Sequence, residues 1–154
     1  MSNTIADLSK KQVARIAGWL YLILAICAGF SWNYINSLYV AGNALATASN
    51  IQAAGWLFRL SFVINLTGQI AFLLLVYFLY KLFRPVDKDW ARLMAILVFV
   101  SVPIAILNML SQFAPIVLLG GGYLSAFGQT QFNALVLLSL DLHIHGVFIA
   151  QIFW

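Results

Sequence analysis

Asp141, His143 and His145 stand within six residues, in DLHIHG, and the stretches on either side, NALVLLSL and VFIAQIFW, are almost wholly apolar. A carboxylate beside two imidazoles is material for proton exchange or metal ligation. A charged side chain at the centre of a bilayer costs about 2.5 to 3.5 kcal/mol on insertion scales, so such groups face a bundle interior and take partners. On a helix Asp141 and His145 share a face at i, i+4, whereas His143 points about 200° away from Asp141. The two histidines, at i and i+2, are therefore a poor metal pair. No Glu-x-x-His, His-Glu-x-x-His, nucleophile elbow or phosphate loop accompanies them. No catalytic residue, metal or cofactor is expected.

Partners for this cluster must come from other apolar runs. One run repeats polar or small residues at Ser61, Asn65, Gly68 and Gln69, and the next does so at Ser101, Ala105, Asn108 and Gln112, each a stripe along one helical face. At 1.5 Å per residue from the outer helix ends, Asp141 lies about 12 Å deep, Asn65 about 14 Å, Asn108 about 10 to 15 Å and Arg59 about 5 Å. The expected intramembrane polar cluster is thus Arg59, Asn65, Gln69, Asn108, Gln112, Asp141, His143 and His145. Within it an Arg59 to Asp141 ion pair is the leading expectation, because Arg59 is the one basic residue away from the basic termini of the runs and an unpaired ion there would be costly.

The elements that position these groups follow from composition. With 64% hydrophobic and 8% charged residues in 154, and a mean hydropathy of +0.97, the chain falls outside soluble usage, in which about 25% of residues are charged. Four runs are long enough to cross about 30 Å of hydrocarbon, at roughly 13–35, 56–83, 91–119 and 133–154. The expected fold is an all-α integral membrane bundle of four transmembrane helices forming a single domain, 1–154. Barrel strands are excluded, because the runs are continuous instead of alternating. NALATASNIQAAG reads equally as a surface helix capped by Asn43 or as an irregular loop. Gly120, Gly121 and Gly122 end the third run, and Pro103 inside it predicts a kink. Trp32, Tyr34, Tyr39, Trp56 and Tyr123 mark one membrane interface and Trp90 the other.

The formal charge of +4 reflects topology, not nucleic-acid binding. Lys10, Lys11 and Arg15 precede the first run, and Lys81, Arg84, Lys88 and Arg92 bracket the link between the second and third. Under the positive-inside rule these seven of eight basic residues put the N terminus and RPVDKDW in the cytoplasm, in a multi-pass protein of the cell membrane. The first run exceeds the apolar core of a cleaved signal peptide, despite the ALA at 44–46. Its pairs Ala14/Gly18 and Ala25/Gly29 form a small-residue face suited to helix packing, within the chain or against a second copy. Cys27 is alone in the chain, and Asn65-Leu66-Thr67 matches a glycosylation pattern out of reach of that machinery. The partners expected are the lipid bilayer and a second copy through that face, with no nucleic acid.

The stretches ARIAGWLYLILAICAGF, WLFRLSFVINLTGQIAFLLLVYFLYKLFRPVDKDWARLM, SVPIAILNMLSQFAPIVLLGGGYLSAF and LDLHIHGVFIAQIFW resemble the bacterial multi-pass membrane proteins of domain-of-unknown-function family 4386. The resemblance covers nearly the whole chain. It implies a helical integral membrane protein of about six spans with uncharacterised activity, and it supplies no catalytic residues. Members typically continue with two further spans, so the resemblance implies that a chain ending at Trp154 is an N-terminal fragment. The family pattern LHxxG matches at His143 and Gly146, while position 145 is more often aromatic; this favours His143 over His145, opposite to the i, i+4 argument.

The function expected is that of a non-enzymatic membrane protein handling a small solute or protons through the polar cluster. The alternative is a structural or interaction membrane protein in which the same groups only set helix packing, and a membrane enzyme ranks third.

Overall fold

The computed structural model describes residues 8–122 and 127–153. Tyr123 and Trp154 lie outside the described residues. The chain forms α1 (Lys10–Leu38), α2 (Ala44–Ala54), α3 (Trp56–Phe83), α4 (Lys88–Gly120) and α5 (Gln129–Gln151). All are helical, and α1, α3, α4 and α5 are each long and apolar enough to cross a membrane. Most of their apolar surface is outward, with Trp19, Ile26, Leu107 and Leu110 more than 60% exposed. Such a surface requires lipid, since soluble chains do not expose apolar patches of this extent.

The helix ends follow from local chemistry. Ser9 and Gln12 form a reciprocal capping box at the start of α1, which satisfies two otherwise orphaned N–H groups. Asp87 accepts from the backbone N–H groups of Asp89 and Trp90, both at 3.0 Å, and so opens α4. The segment that reads equally as helix or loop is a helix: Asn43 caps it through Ala46 N–H, and Gly55, at φ 52°, turns the chain into α3. α4 stays helical through Pro103 and Pro115 and ends at the glycines expected to stop it. The four long helices agree with the expected spans to within about the boundary error of sequence reading.

Cross-helix contacts set the directions. Gly68 of α3 faces α1, where a Cβ would sit 3.2 Å from Cys27 Cβ, and Ser31 Oγ donates to Ser61 O at 3.1 Å. α1 and α3 therefore run antiparallel, drawn together where Gly68 leaves room. Asn65 meets Gln112, and Val76 packs with Val98, so α3 and α4 are antiparallel. Asn108 meets His143, and Ser101 meets Ala150, so α4 and α5 are too. The order of packing is α1, α3, α4, α5, while α2 lies across the start of α5. Ile35, Ile51, Phe58, Phe132, Val136 and Leu140 form an apolar core at the α2 end. The basic termini of α1, α3 and α4 consequently gather at the opposite end.

Candidate functional site

The polar residues inside the bundle fall into three arrangements. The first is a closed network. Asn65 Nδ2 donates to Gln112 Oε1 at 3.0 Å, Gln112 Nε2 to Ser61 Oγ at 3.4 Å, and Ser61 Oγ to Phe58 O at 2.7 Å. Ser31 donates to the carbonyl of the same Ser61, so the network ties α1, α3 and α4. Gln112 and Ser61 are wholly buried. Hydrogen bonds of this kind between membrane helices contribute about 0.6 to 2 kcal/mol each and fix rotational register.

The second arrangement joins α4 to α5. Asn108 Nδ2 donates to His143 O at 2.8 Å and lies 3.3 Å from His143 Nδ1; that ring nitrogen is also 3.4 Å from Asn108 O. Asn108 comes this close because position 146 is glycine: a Cβ there would lie 2.6 Å from Asn108 Cγ and nearer still to its Oδ1. His143 is buried at 2% exposure, with Nδ1 engaged by Asn108. Its Nε2 makes no hydrogen bond among the described residues, and His143 is one of the residues that line a cavity.

That cavity, of about 340 Å³, is bounded by all four long helices. It lies where α1 and α5 stand apart, bridged by the edge-to-face rings of Trp32 and Phe148 at 6.1 Å. Its polar lining is Ser31, Asn65, Gln69, Asn108, His143 and Gln151; the remainder is apolar, with Leu24, Ile35, Phe72 and Met109 among it. The side chains of Gln69 and Gln151 make no hydrogen bonds among the described residues. No carboxylate, lysine or arginine lines the cavity. Its chemistry is hydrogen bonding by amides and one imidazole against apolar walls, the composition of a small-molecule pocket.

The third arrangement corrects an expectation. The partner of the Asp141 carboxylate is Tyr39, whose hydroxyl donates to Oδ1, and no Arg59 to Asp141 ion pair exists among the described residues. The reason is rotational. α3 buries the face of Phe58, Ser61 and Gly68, and Arg59, two residues from Ser61, points about 200° from it. Asp141 likewise sits beside, not on, the buried face of Leu140 and His143, where the chain leaving α1 delivers Tyr39. This bond raises the pKa of the Tyr39 hydroxyl, with desolvation and the carboxylate's charge adding to it. His145 is exposed and turns Nδ1 back to Asp141 O at 2.8 Å, within its own helix. Of the eight residues singled out in the sequence, Asn65, Gln69, Asn108 and His143 line the cavity, Gln112 lies behind it, and Arg59, Asp141 and His145 stand apart from it.

The Tyr39 to Asp141 bond yields an expected result. Asp141→Asn, which still accepts from Tyr39, lowers stability by under about 1 kcal/mol, whereas Asp141→Leu and Tyr39→Phe each lower it by about 1 to 2 kcal/mol. Thermal melting in detergent ranks the three. Arg59→Met melting with the parent is the companion expectation, and a large loss there would restore the ion pair.

Four lipid-demanding helices around a polar-lined cavity define a helical membrane protein. The chain belongs to the family described as domain of unknown function (DUF4386), whose model matches residues 16–154. No curated protein and no solved structure matches it.

Proposed function

We propose that this protein binds a small uncharged polar solute in the cavity between its four long helices and lets it cross the membrane. The observation that carries the reading is the pairing of Gln69, Gln151 and His143 Nε2, groups with hydrogen-bonding capacity unspent among the described residues, with a cavity of about 340 Å³. Gln69 is half-buried and Gln151 exposed, so both have amide donors and acceptors to offer an occupant that hydrogen-bonds. A lining without fixed charge favours an uncharged one, because an ion stripped of water there would meet no counter-charge. Proton transfer between Asp141 and a histidine has less support, since the carboxylate is engaged by Tyr39 and both histidines turn their Nδ1 elsewhere.

The closed network of Ser31, Ser61, Asn65 and Gln112 supports a structural role for that part of the polar cluster. It holds α1, α3 and α4 in the register that forms the cavity wall. The two readings of the sequence thus divide among the residues instead of competing for all of them.

In proteoliposomes, stopped-flow light scattering under gradients of urea, glycerol and larger polyols is expected to show at least one uncharged solute crossing faster than in protein-free vesicles. Rates equal to those of empty vesicles for every solute would overturn the reading. The protein sits in the cell membrane as a multi-pass chain, with the basic end cytoplasmic. Single cysteines at Ser37 and Lys88 test this: an impermeant thiol reagent applied to intact cells labels the first and not the second.

A further inference from the structure

At the α2 end a second cleft, of about 320 Å³, lies among α2, α3 and α4. Its apolar lining comes from Ile51, Phe58, Ile116 and Leu119, with Gln52 and Trp56 beside them, and its one charged group is Arg59. Arg59 makes no ion pair or hydrogen bond among the described residues, and the only ion pair among them is Arg92 with Asp89 at the other end. Its guanidinium reaches toward the end of α4, where a Cβ at Gly120 would be 3.8 Å from Nη2. Trp56, 68% exposed, opens α3 one turn away, and tryptophan at a helix end marks the headgroup level of a bilayer. An unpaired guanidinium at that level, beside apolar side chains of α3 and α4 that line the same cleft, suits one ligand class.

We infer that this cleft binds an anionic phospholipid, with the headgroup phosphate on the Arg59 guanidinium and an acyl chain along Phe58, Ile116 and Leu119. Guanidinium matches phosphate through paired N–H donors, which an ammonium does not reproduce. The chain contributes apolar burial that a free anion lacks. A purely structural Arg59, attracted to the carbonyl end of α4, would show no lipid preference.

The test is native mass spectrometry of the purified full chain in detergent. It is titrated with phosphatidylglycerol, with phosphatidylcholine of the same acyl chains, and with inorganic phosphate. Phosphatidylglycerol is expected to be retained about fivefold better than phosphatidylcholine, the preference that one basic residue near an anionic lipid surface supplies. Arg59→Gln should abolish that preference and Arg59→Lys should keep only part of it. Leu119→Trp, which fills the groove while keeping the charge, should lower retention of both lipids. Equal retention of the two lipids by the parent, or an unchanged preference in Arg59→Gln, would overturn the inference. Retention of inorganic phosphate as strong as that of the lipid would replace it with a soluble-anion site, and loss of a dimer on Arg59→Gln would replace it with a contact between copies.

Discussion

Gly146→Ala is expected to destabilise the protein by about 2 kcal/mol, although helix propensity alone favours alanine over glycine by about 1 kcal/mol. The three atoms nearest to a Cβ at this position all belong to the Asn108 amide, with Cγ at 2.6 Å and Nδ2 at 3.1 Å. Asn108 has only a short side chain with which to withdraw. Withdrawal would break its 2.8 Å bond to His143 O and its contact with His143 Nδ1. Overpacking of a fitted site costs about 1 to 3 kcal/mol, and the lost hydrogen bonds add to that, so the steric cost outweighs the propensity gain. The sign should reverse in the absence of the amide. On an Asn108→Ala background, Gly146→Ala should be neutral or stabilising by up to about 1 kcal/mol. Melting of the two single variants and the double variant in detergent measures this directly; an equal loss with and without Asn108 would place the need for glycine elsewhere.

Gln112→Leu should cost about 1 to 2 kcal/mol, a large effect for one amide between membrane helices. Gln112 is wholly buried, and both ends of its amide are used, accepting from Asn65 and donating to Ser61. Leucine restores the bulk but leaves the Asn65 Nδ2 donor without its acceptor, and an orphaned buried donor carries its desolvation cost. Adding Asn65→Leu removes the orphan. The double variant should therefore lose clearly less than the sum of the two single losses, whereas strict additivity would mean that the two amides do not act together. Ser61 is protected in either case, because its hydroxyl keeps the bond to Phe58 O.

These two sites differ in how far the sequence discloses them. The stripes of Ser61, Asn65 and Gln69 on α3, and of Ser101, Asn108 and Gln112 on α4, are visible as polar residues at helical spacing in apolar runs, and they do face inward. The helix ends are equally legible, since Asn43, Gly55 and the glycines from Gly120 carry local signals that act within a few residues. Family resemblance points at His143 and Gly146, and the geometry gives that pattern a cause: the glycine makes the notch that admits Asn108. Pairing across helices is less legible. Arg59 and Asp141 both fall in the outer half of the bundle, but depth along an axis says nothing about rotation around it, and neither side chain leaves its helix on the buried face. Tyr39, read only as an interface aromatic, becomes the partner of Asp141 because the turn into α2 carries it over α5, a path set by Thr47 and Asn50 bonding back to Val40 and Leu38. Gln151, near the far end of α5, lines the cavity only because α5 is antiparallel to α4. The cavity itself has no sequence signal, since it exists where α1 and α5 stand apart and the Trp32 and Phe148 rings bridge them.

The small residues of α1 add one further point. Gly68 on α3 is the glycine that brings α1 and α3 together, whereas a Cβ at Gly18 or Gly29 would meet nothing within 4 Å. Gly29 also lines the cavity, and room for a Cβ there makes it the position at which to add bulk to the cavity wall.

Solute flux through Gly29→Phe proteoliposomes therefore tests the central claim most directly. The cavity account predicts that this variant melts within a few degrees of the parent, while its flux of the solute carried by the parent falls to the rate of protein-free vesicles. Parental flux through a folded Gly29→Phe protein would contradict it.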